Sequence, residues 1–409
     1  MVGLIIFTLY TGGMAGAVFN YGLYPRSLGM GKAFCSVSGD VESGYYNPAG
    51  LSALRVNDLR LAHHTLYGGG RLEYLGYSFP TKHFGSFGFT IINHVVEGFY
   101  SFDENLQQYS SFGFSENCII VSYSYLLGQT LGLGINLKGL SSKLAQYADF
   151  GIGGDAGLVL FPKRQYTLGL MVHNAWPPRL TMNEQTDIFP SIIRFGGSIR
   201  FYDNRFLIAA DGAQPIGYDL NPHLGIEFIA IPRALTLRAG VDGNEVSFGG
   251  GFRWAFGRLA FGLDYAMLMH HAFNYLPANT HKLGLNIQFG GFRVWLNAKP
   301  KVFSPSPFHR ENVLWIYLHI NAQRPVKRWQ LLIRNDLGEV VRTFASWGEP
   351  PKRLTWDGLD DVGRSAPDGD YYYELLVVDE RDDVLKYDDF LTTIKTIGPP
   401  GELEVIPEK

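Results

Sequence analysis

"TLGLGINLKG", Thr130–Gly139, sets Leu131, Leu133, Ile135 and Leu137 against Gly132, Gly134, Asn136 and Lys138. Successive side chains of an extended chain point to opposite faces, so this alternation predicts a strand with one apolar face and one small or polar face. "QYTLGLMVHN" (Gln165–Asn174) repeats it with Tyr166, Leu168, Leu170 and Val172. "RLAFGLDYAMLM" (Arg258–Met269) opposes Leu259, Phe261, Leu263, Tyr265, Met267 and Met269 to Ala260, Gly262, Asp264 and Ala266. "HKLGLNIQFG" (His281–Gly290) opposes Leu283, Leu285, Ile287 and Phe289 to Gly284, Asn286 and Gln288.

Working outward, the pattern predicts fourteen strands, over 57–67, 71–79, 84–93, 117–126, 130–139, 152–161, 165–173, 191–202, 205–211, 222–231, 234–241, 246–256, 258–269 and 281–290. Most exceed the usual five or six residues and match the roughly 9–11 a tilted strand needs to cross a bilayer. Their second face mixes glycine with single charges, Arg194, Arg200, Glu227, Arg238, Arg253 and Asp264, which suits a crowded lumen. A soluble sandwich would tolerate runs of Lys and Glu there, and a propeller would show blade repeats.

Connections alternate between tight turns ("FPTKH", "LGQ", "FPKRQ", "YDN", "IPR", "FGR") and longer loops near 94–116, 140–151, 174–190, 212–221 and 270–280; Gly68–Gly70 and 242–245 are short exceptions. Short turns at one end and long loops at the other mark an outer-membrane barrel. Closure pairs the edge groups that lipid cannot satisfy.

Composition agrees. The 409 residues are 46% hydrophobic and 18% charged, with 49 glycines, 29 Phe, 23 Tyr and 7 Trp, a charged share below that of a soluble domain. A net charge of −3 argues against nucleic acid as a partner. The two cysteines, Cys35 and Cys118, allow one bridge at most. The opening "MVGLIIFTLYTGGMAGA" has the apolar core and small-residue end of an export signal without its leading positive charge. No later apolar run reaches the ~20 residues of a transmembrane helix.

Before the first predicted strand, "YPRSLGMGKAFCSVSGDVESGYYNPAGLSAL" (Tyr24–Leu54) is broken by Gly and an Asn-Pro step. Asn47 can cap its own backbone, Pro48 fixes φ and Gly50 admits a bend. Through Arg26, Ser27, Leu28, Gly29, Met30 and Gly31, then Ala33, Phe34 and Asp40, then Tyr46, Asn47, Pro48, Ala49, Gly50 and Leu51, this stretch resembles the outer-membrane family named for the PorV and PorQ proteins. It is more distantly similar to FadL-type fatty-acid transporters. Lys32 and Cys35 depart from that pattern, where smaller or apolar residues are expected. The resemblance implies a fourteen-stranded barrel with an N-terminal plug folded into its lumen.

Past Lys299 the composition changes: 19 of the 38 acidic residues fall in 301–409. "ENVLWIYLHI", "VKRWQLLIRND", "EVVRTFAS", "KRLTWDG", "DGDYYYELLVVDE" and "LKYDDFLTTIKTI" read as short strands of a small sandwich. Asn335, Asp336 and Gly338, Trp356, Asp357 and Gly358, Asp361 and Gly363, and Pro367, Asp368, Gly369 and Tyr371–Tyr373 resemble the immunoglobulin-like domain of flagellar hook-capping proteins. Turn formation is the simpler use of the aspartates at 357–361, ahead of calcium binding.

The expected organisation is therefore all-β: a signal segment 1–19, a plug 20–56, a transmembrane barrel 57–298, an immunoglobulin-like sandwich 299–398 and a tail 399–409. No chemistry is expected, and no cofactor or metal. His63 and His64 point to opposite faces, His270 and His271 lie in a loop, and no serine sits in a Gly-x-Ser-x-Gly elbow. The resemblance implies a docking or scaffold component of protein secretion or surface attachment, in the bacterial outer membrane with its C-terminal domain periplasmic. The other reading is a FadL-like channel for hydrophobic small molecules. Partners on these readings are outer-membrane lipid, envelope or secretion proteins and a hydrophobic ligand.

Overall fold

The computed structural model describes residues 22–66, 70–128, 130–163, 165–182, 184–202, 204–232, 234–256, 259–270, 279–306, 311–322, 324–380 and 384–396, apart from 103–107. The expected signal, the tail, His271, Gly68 and Gly69 lie outside the described residues. The chain divides into two units, Met1–Gly291 and Phe292–Lys409.

In the first unit, two single-turn helices, α1 (Pro25–Leu28) and α2 (Ser43–Tyr46), and a 3-10 turn at Pro48–Ala53 precede the strands. Then follow β1 (Asn57–Thr65), β2 (Arg71–Pro80), β3 (Ser86–Phe102), β4 (Gln108–Leu127), β5 (Leu131–Leu144), β6 (Tyr147–Lys163) and β7 (Tyr166–Trp176). A short hairpin, β8 (Arg179–Met182) and β9 (Gln185–Ile188), interrupts the series. It resumes with β10 (Ile192–Phe201), β11 (Phe206–Pro215), β12 (Asn221–Ile231), β13 (Leu235–Asp242), β14 (Glu245–Phe256), β15 (Leu259–His270) and β16 (Asn279–Phe289). Omitting β8 and β9, each strand pairs antiparallel with its neighbours, and β16 pairs with β1 (Leu61 opposite Leu285), closing a fourteen-stranded barrel.

The alternation resolves as expected from the sequence. Ile135, Leu137, Leu263 and Leu283 project outward and are more than half exposed (54–64%), while Asn136, Asp264, Lys282 and Asn286 point inward and are buried. Such an apolar exterior is stable only in lipid, and twelve residues at a 45° tilt span about 28 Å. Among the described residues no helix is long and apolar enough to cross a membrane; the strands cross it. At the end where Asn57 and Phe289 meet, outward rings form a belt. Tyr77 stacks with Phe79 and Phe289, Phe79 with Phe87, Phe206 with Phe201 and Phe228, and Trp254 with Phe261. Aromatic belts occupy the headgroup level of a bilayer.

Every predicted strand is present, but the expected loops at 94–116, 140–151 and 174–190 are largely strand. Residues 94–102 and 108–116 continue β3 and β4, and 140–151 is a two-residue turn between the extended β5 and β6. These segments leave the apolar alternation because they outrun the outward apolar band, not because they stop pairing: Phe99 still faces Phe112 and Lys143 still faces Ala148. The expected 174–190 loop contains β8 and β9. Arg293–Ala298, placed within the barrel bounds by the sequence reading, pairs instead with Leu314–Asn321 in the second unit.

That unit has two sheets. β17 (Arg293–Lys299), β19 (Leu314–Asn321) and β22 (Arg353–Trp356) form one. β18 (Val302–Phe303), β20 (Val326–Arg334), β21 (Val340–Trp347), β23 (Gly369–Asp379) and β24 (Val384–Ile394) form the other. Leu296, Ile316 and Trp356 of the first share one core with Phe303, Leu331, Tyr371 and Leu375 of the second.

Candidate functional site

The candidate site is the inner face of the barrel, against which residues of the Gly22–Leu54 segment pack. From α1 to the 3-10 turn this inner segment is buried almost without a break. It crosses from β15 and β16 at Tyr24, past β12–β14 at Gly29–Lys32 and β7, β10 and β11 at Phe34 and Cys35, to β4–β6 at Asn47–Ser52.

Wall glycines make the room. A Cβ on Gly134 would sit 2.1 Å from the Ala49 nitrogen, and one on Gly240 2.1 Å from the Gly31 nitrogen. On Gly169 it would meet the Cys35 carbonyl oxygen at 2.4 Å. Only hydrogen fits where one backbone lies flat on another. Gly31 and Lys32 both turn through positive φ (60° and 63°) as the segment reverses. Gly50 does not need that conformation; its place is set by Ser43, 2.9 Å from an added Cβ.

One side of the lumen is ionic. Arg26 donates to Glu227 from Nε (2.8 Å) and Nη2 (2.7 Å), and also pairs with Asp40. Arg238 donates to Glu227 (2.7 Å) and to Asp264 (2.6 Å), and Asp264 also accepts from the Tyr24 hydroxyl (2.9 Å). Arg60 pairs with Asp58 (3.1 Å), Asp40 (3.2 Å) and Glu42. Lys32, a departure from the family pattern by sequence, reaches Asp242 (2.8 Å) and Glu245 (3.5 Å). The Phe34 and Cys35 amides both donate to Asp211 (2.6 Å), and Arg194 donates to the Lys32 carbonyl (3.0 Å). Burial makes each unpaired member of such a network expensive.

Of the six lumen charges read from the sequence, Arg194, Glu227, Arg238 and Asp264 join this arrangement. Arg200 and Arg253 share the inward face but form no ion pair among the described residues. Sequence reasoning missed Arg60, Asp58, Asp211, Asp242 and Glu245; the Glu245 partner, Lys32, lies 213 positions away (245 − 32). The signal available was a charged residue on the glycine-bearing face of an alternating strand.

In the motif segment, Ser27 donates from Oγ to the Tyr24 carbonyl and from its amide to Glu42. Leu28 packs with Ala266 and Leu268, and the Met30 carbonyl lies against Gly225. Asn47 caps the 3-10 turn by accepting from the Ala49 amide (3.2 Å) and donates to the Cys35 (3.0 Å) and Leu158 (2.9 Å) carbonyls. Pro48 opens that turn, and Gly50 donates to the Asn47 carbonyl.

The other side of the lumen carries an apolar cluster beside the buried Lys138–Asp155 pair (2.6 Å). Leu72 and Tyr74 of β2, Ile92 of β3, Cys118 and Ile120 of β4 and Leu140 of β5 point inward and are buried. They form one cluster with Phe34, Tyr45 and Tyr46 of the inner segment and with Leu180 and Phe189 at the β8–β9 hairpin. The hairpin is turned inward: Pro178 and Arg179 lie over the inner side of Gly153 and Gly151. It leaves the wall where β7 bulges at His173–Ala175, held by Asn174 donating to Asp155 (2.7 Å) and to the Pro190 carbonyl (2.8 Å). Beyond Gly154, the far end of β6 has no β7 partner.

Cys35 and Cys118 are both buried free thiols, so the bridge allowed by the sequence does not form. Among the described residues no group of three His, Cys, Asp or Glu could hold a metal ion. His63 pairs outward with Glu73 (2.7 Å), whereas His64 donates inward to the Leu23 carbonyl (2.8 Å).

In the second unit the aspartates tie turns. Asp357 accepts from the Leu359 amide, and Asp360 from Val362, Arg364 and the Arg364 side chain. Asp368 accepts from the Thr396 amide and hydroxyl, and these donors hold the Asp360 and Asp368 carboxyls below the usual range. Trp356 donates to the Leu359 carbonyl (2.8 Å), Gly338 and Gly358 take positive φ (82° and 77°), and Asp336 and Gly338 sit in the β20–β21 turn. Gly369 (φ 152°) starts β23.

The first unit is thus a closed, fourteen-stranded transmembrane barrel, with residues of the Gly22–Leu54 segment packed on its wall. No protein-family model matches the chain, and no curated protein matches either. Among solved structures it is similar to a Pseudomonas aeruginosa FadL homologue (12% identity, TM-score 0.46, 65% of this chain and 98% of that one). It is also similar to the CymD monoaromatic hydrocarbon channel (14%, 0.48, 66% and 97%) and to the Ralstonia pickettii toluene transporter TbuX (12%, 0.44, 66% and 98%).

Proposed function

We propose that this protein is an outer-membrane channel for a small apolar molecule. The observation that supports it is the inward apolar cluster running from Leu180 and Phe189 through Ile120 and Leu140 to Tyr45 and Tyr46. A water-filled pore has a polar lumen, and a barrel that is only a scaffold has no need of a greasy one. On this reading the inner segment is a plug, Arg26–Gly50 its seated motif, and Arg194, Glu227, Arg238 and Asp264 the wall charges that hold it. Arg200 and Arg253 tune the remaining lumen.

The test is binding of an environment-sensitive apolar dye to the purified barrel. Saturable binding, displaced by fatty acid or by an aromatic hydrocarbon and lost in Ile120→Arg, supports the proposal. Absence of binding in an intact, heat-modifiable barrel overturns it.

The docking role implied by the resemblance to the PorV and PorQ proteins draws on a different observation, the second unit. We read its two sheets as an immunoglobulin-like sandwich on the periplasmic side, an appendage that passage of a small molecule does not call for. Stable copurification of another envelope protein, lost when residues 292–409 are deleted, would favour that reading.

A further inference from the structure

The three-stranded sheet of the second unit has a face that its own core does not use. Val294, Leu296, Leu314, Ile316 and Leu318 point into the core. The opposite face carries Arg293, Trp295 and Lys299 of β17, Trp315, Tyr317 and His319 of β19, and Arg353 of β22. Trp315 and Tyr317 are 38% and 39% exposed. None of the three strands contains an acidic residue, in the part of the chain richest in them.

The rings are arranged as amphipathic posts. Trp295 stacks on His319 across the strand pair (5.1 Å between centroids, 9° between planes), and the Arg353 guanidinium covers Trp315 at 4.5 Å. A sugar-binding platform needs open ring faces, and here two of the three large rings have a face already taken. Tryptophan and tyrosine beside basic side chains instead match the headgroup layer of a bilayer, where the ring body is apolar and its surroundings charged.

We infer that this face binds a bilayer surface of anionic phospholipid headgroups. The inference rests on the membrane reading of the barrel, not on what passes through it. Phosphate complements Arg293, Lys299 and Arg353, and Trp315 and Tyr317 insert their edges between headgroups.

The test uses the full chain carrying Thr355→Cys, an exposed position on β22, labelled with a nitroxide; the native cysteines are buried. The protein is reconstituted in phosphatidylcholine vesicles with or without phosphatidylglycerol, and collision with a water-soluble nickel chelate is measured. The expected result is at least a threefold fall in collision with phosphatidylglycerol present, reversed by 0.5 M salt and absent in Arg293→Glu/Lys299→Glu/Arg353→Glu. Salt acts on the face without these substitutions, so the test survives a triple variant that fails to fold. Equal collision in both lipids, or a fall that salt does not touch, overturns the inference. So does protection by added peptidoglycan in phosphatidylcholine, which would make the face a glycan surface. Insertion is scored separately by the heat shift: an inserted barrel with an exposed label overturns this inference alone, and a chain that never inserts overturns the membrane reading as well.

Discussion

Glu227→Ala removes one carboxylate from the centre of the lumen network, and its consequence is calculable. Glu227 accepts three hydrogen bonds, two from Arg26 and one from Arg238. Arg26 keeps Asp40 and Arg238 keeps Asp264, but both guanidiniums lose a buried partner. Breaking a buried pair by deleting one member typically costs about 3–5 kcal/mol. Arg238 stays with the wall whether or not the segment is seated, so the penalty falls mainly on the seated state through Arg26. At 1.4 kcal/mol per tenfold, release of the segment becomes roughly 10²- to 10³·⁵-fold more populated. Amide exchange in micelles reads this directly. The amides of Leu28, Gly29 and Lys32, bonded within the turn to Tyr24, Pro25 and Ser27, are expected to exchange at least a hundredfold faster. Those of β3–β5 should not change. Unaltered exchange over 24–35 would refute the reasoning, and would mean that backbone packing on the wall glycines, not the ion pairs, holds the segment.

Three further outcomes are expected. Gly134→Val places a side chain where the Ala49 backbone lies, so residues 44–54 should become protease-sensitive while the barrel keeps its heat-shifted migration; a protected segment would refute the close approach. Ile135→Arg, at an outward position 59% exposed, should lower folding stability in vesicles by about 2–4 kcal/mol if it lies near the bilayer midplane, whereas Val362→Arg in the second unit should stay within about 0.5 kcal/mol. Urea titration of the two variants compares them, and equal effects would deny the lipid band. Trp356→Ala empties a side chain that is 1% exposed and deletes its bond to Leu359, so the second unit should lose about 3–5 kcal/mol by near-ultraviolet dichroism with the barrel intact.

Much of this was legible because the barrel is written locally. The period-two rule needs only a strand's own residues; β5, β7, β15 and β16 follow it closely, whereas "CIIV" at 118–121 of β4 does not, because Cys118 and Ile120 turn inward onto the apolar cluster. It fails where the rule loses its physical cause. Beyond the band, the outer halves of β3 and β4 ("EGFYSFDENLQQYSSFGF") need no apolar face, so they read as a loop although they pair. The inward turn of β8 and β9 was illegible for a related reason: Leu180 and Phe189 are buried by partners on β2–β5, tens of residues away. Arg293–Lys299 alternates like a barrel strand because its core face, Val294, Leu296 and Ala298, obeys the same rule against a different core.

The lumen was half legible, and the division follows the kind of interaction. Glycines that let a backbone approach are visible as a small-residue face, since space is a property of one residue. Ion pairs are properties of two, and only the geometry joins Lys32 to Asp242 or Arg26 to Glu227. That difference gives the lumen its two characters. Where the segment meets β11–β16 and β1 it is fixed by charge, so holding it depends on every partner remaining paired. Where it meets β2–β6 it is fixed without ion pairs, by packing of the Ala49 backbone on Gly134 and of Tyr45 and Tyr46 against the apolar cluster, and by neutral hydrogen bonds from Asn47 to the Leu158 carbonyl, from Asn136 to the Gly44 carbonyl and from Ser124 to the Ala49 carbonyl. Apolar contact can be exchanged for an apolar ligand at little cost, whereas a buried ion pair cannot. A molecule entering beneath Leu180 and Phe189 would therefore displace the Tyr45–Ser52 half of the segment first, with the Tyr24–Lys32 half still anchored. Dye binding should accordingly speed amide exchange over 44–53 and leave 24–32 unchanged; the reverse order would assign the opening to the ionic side.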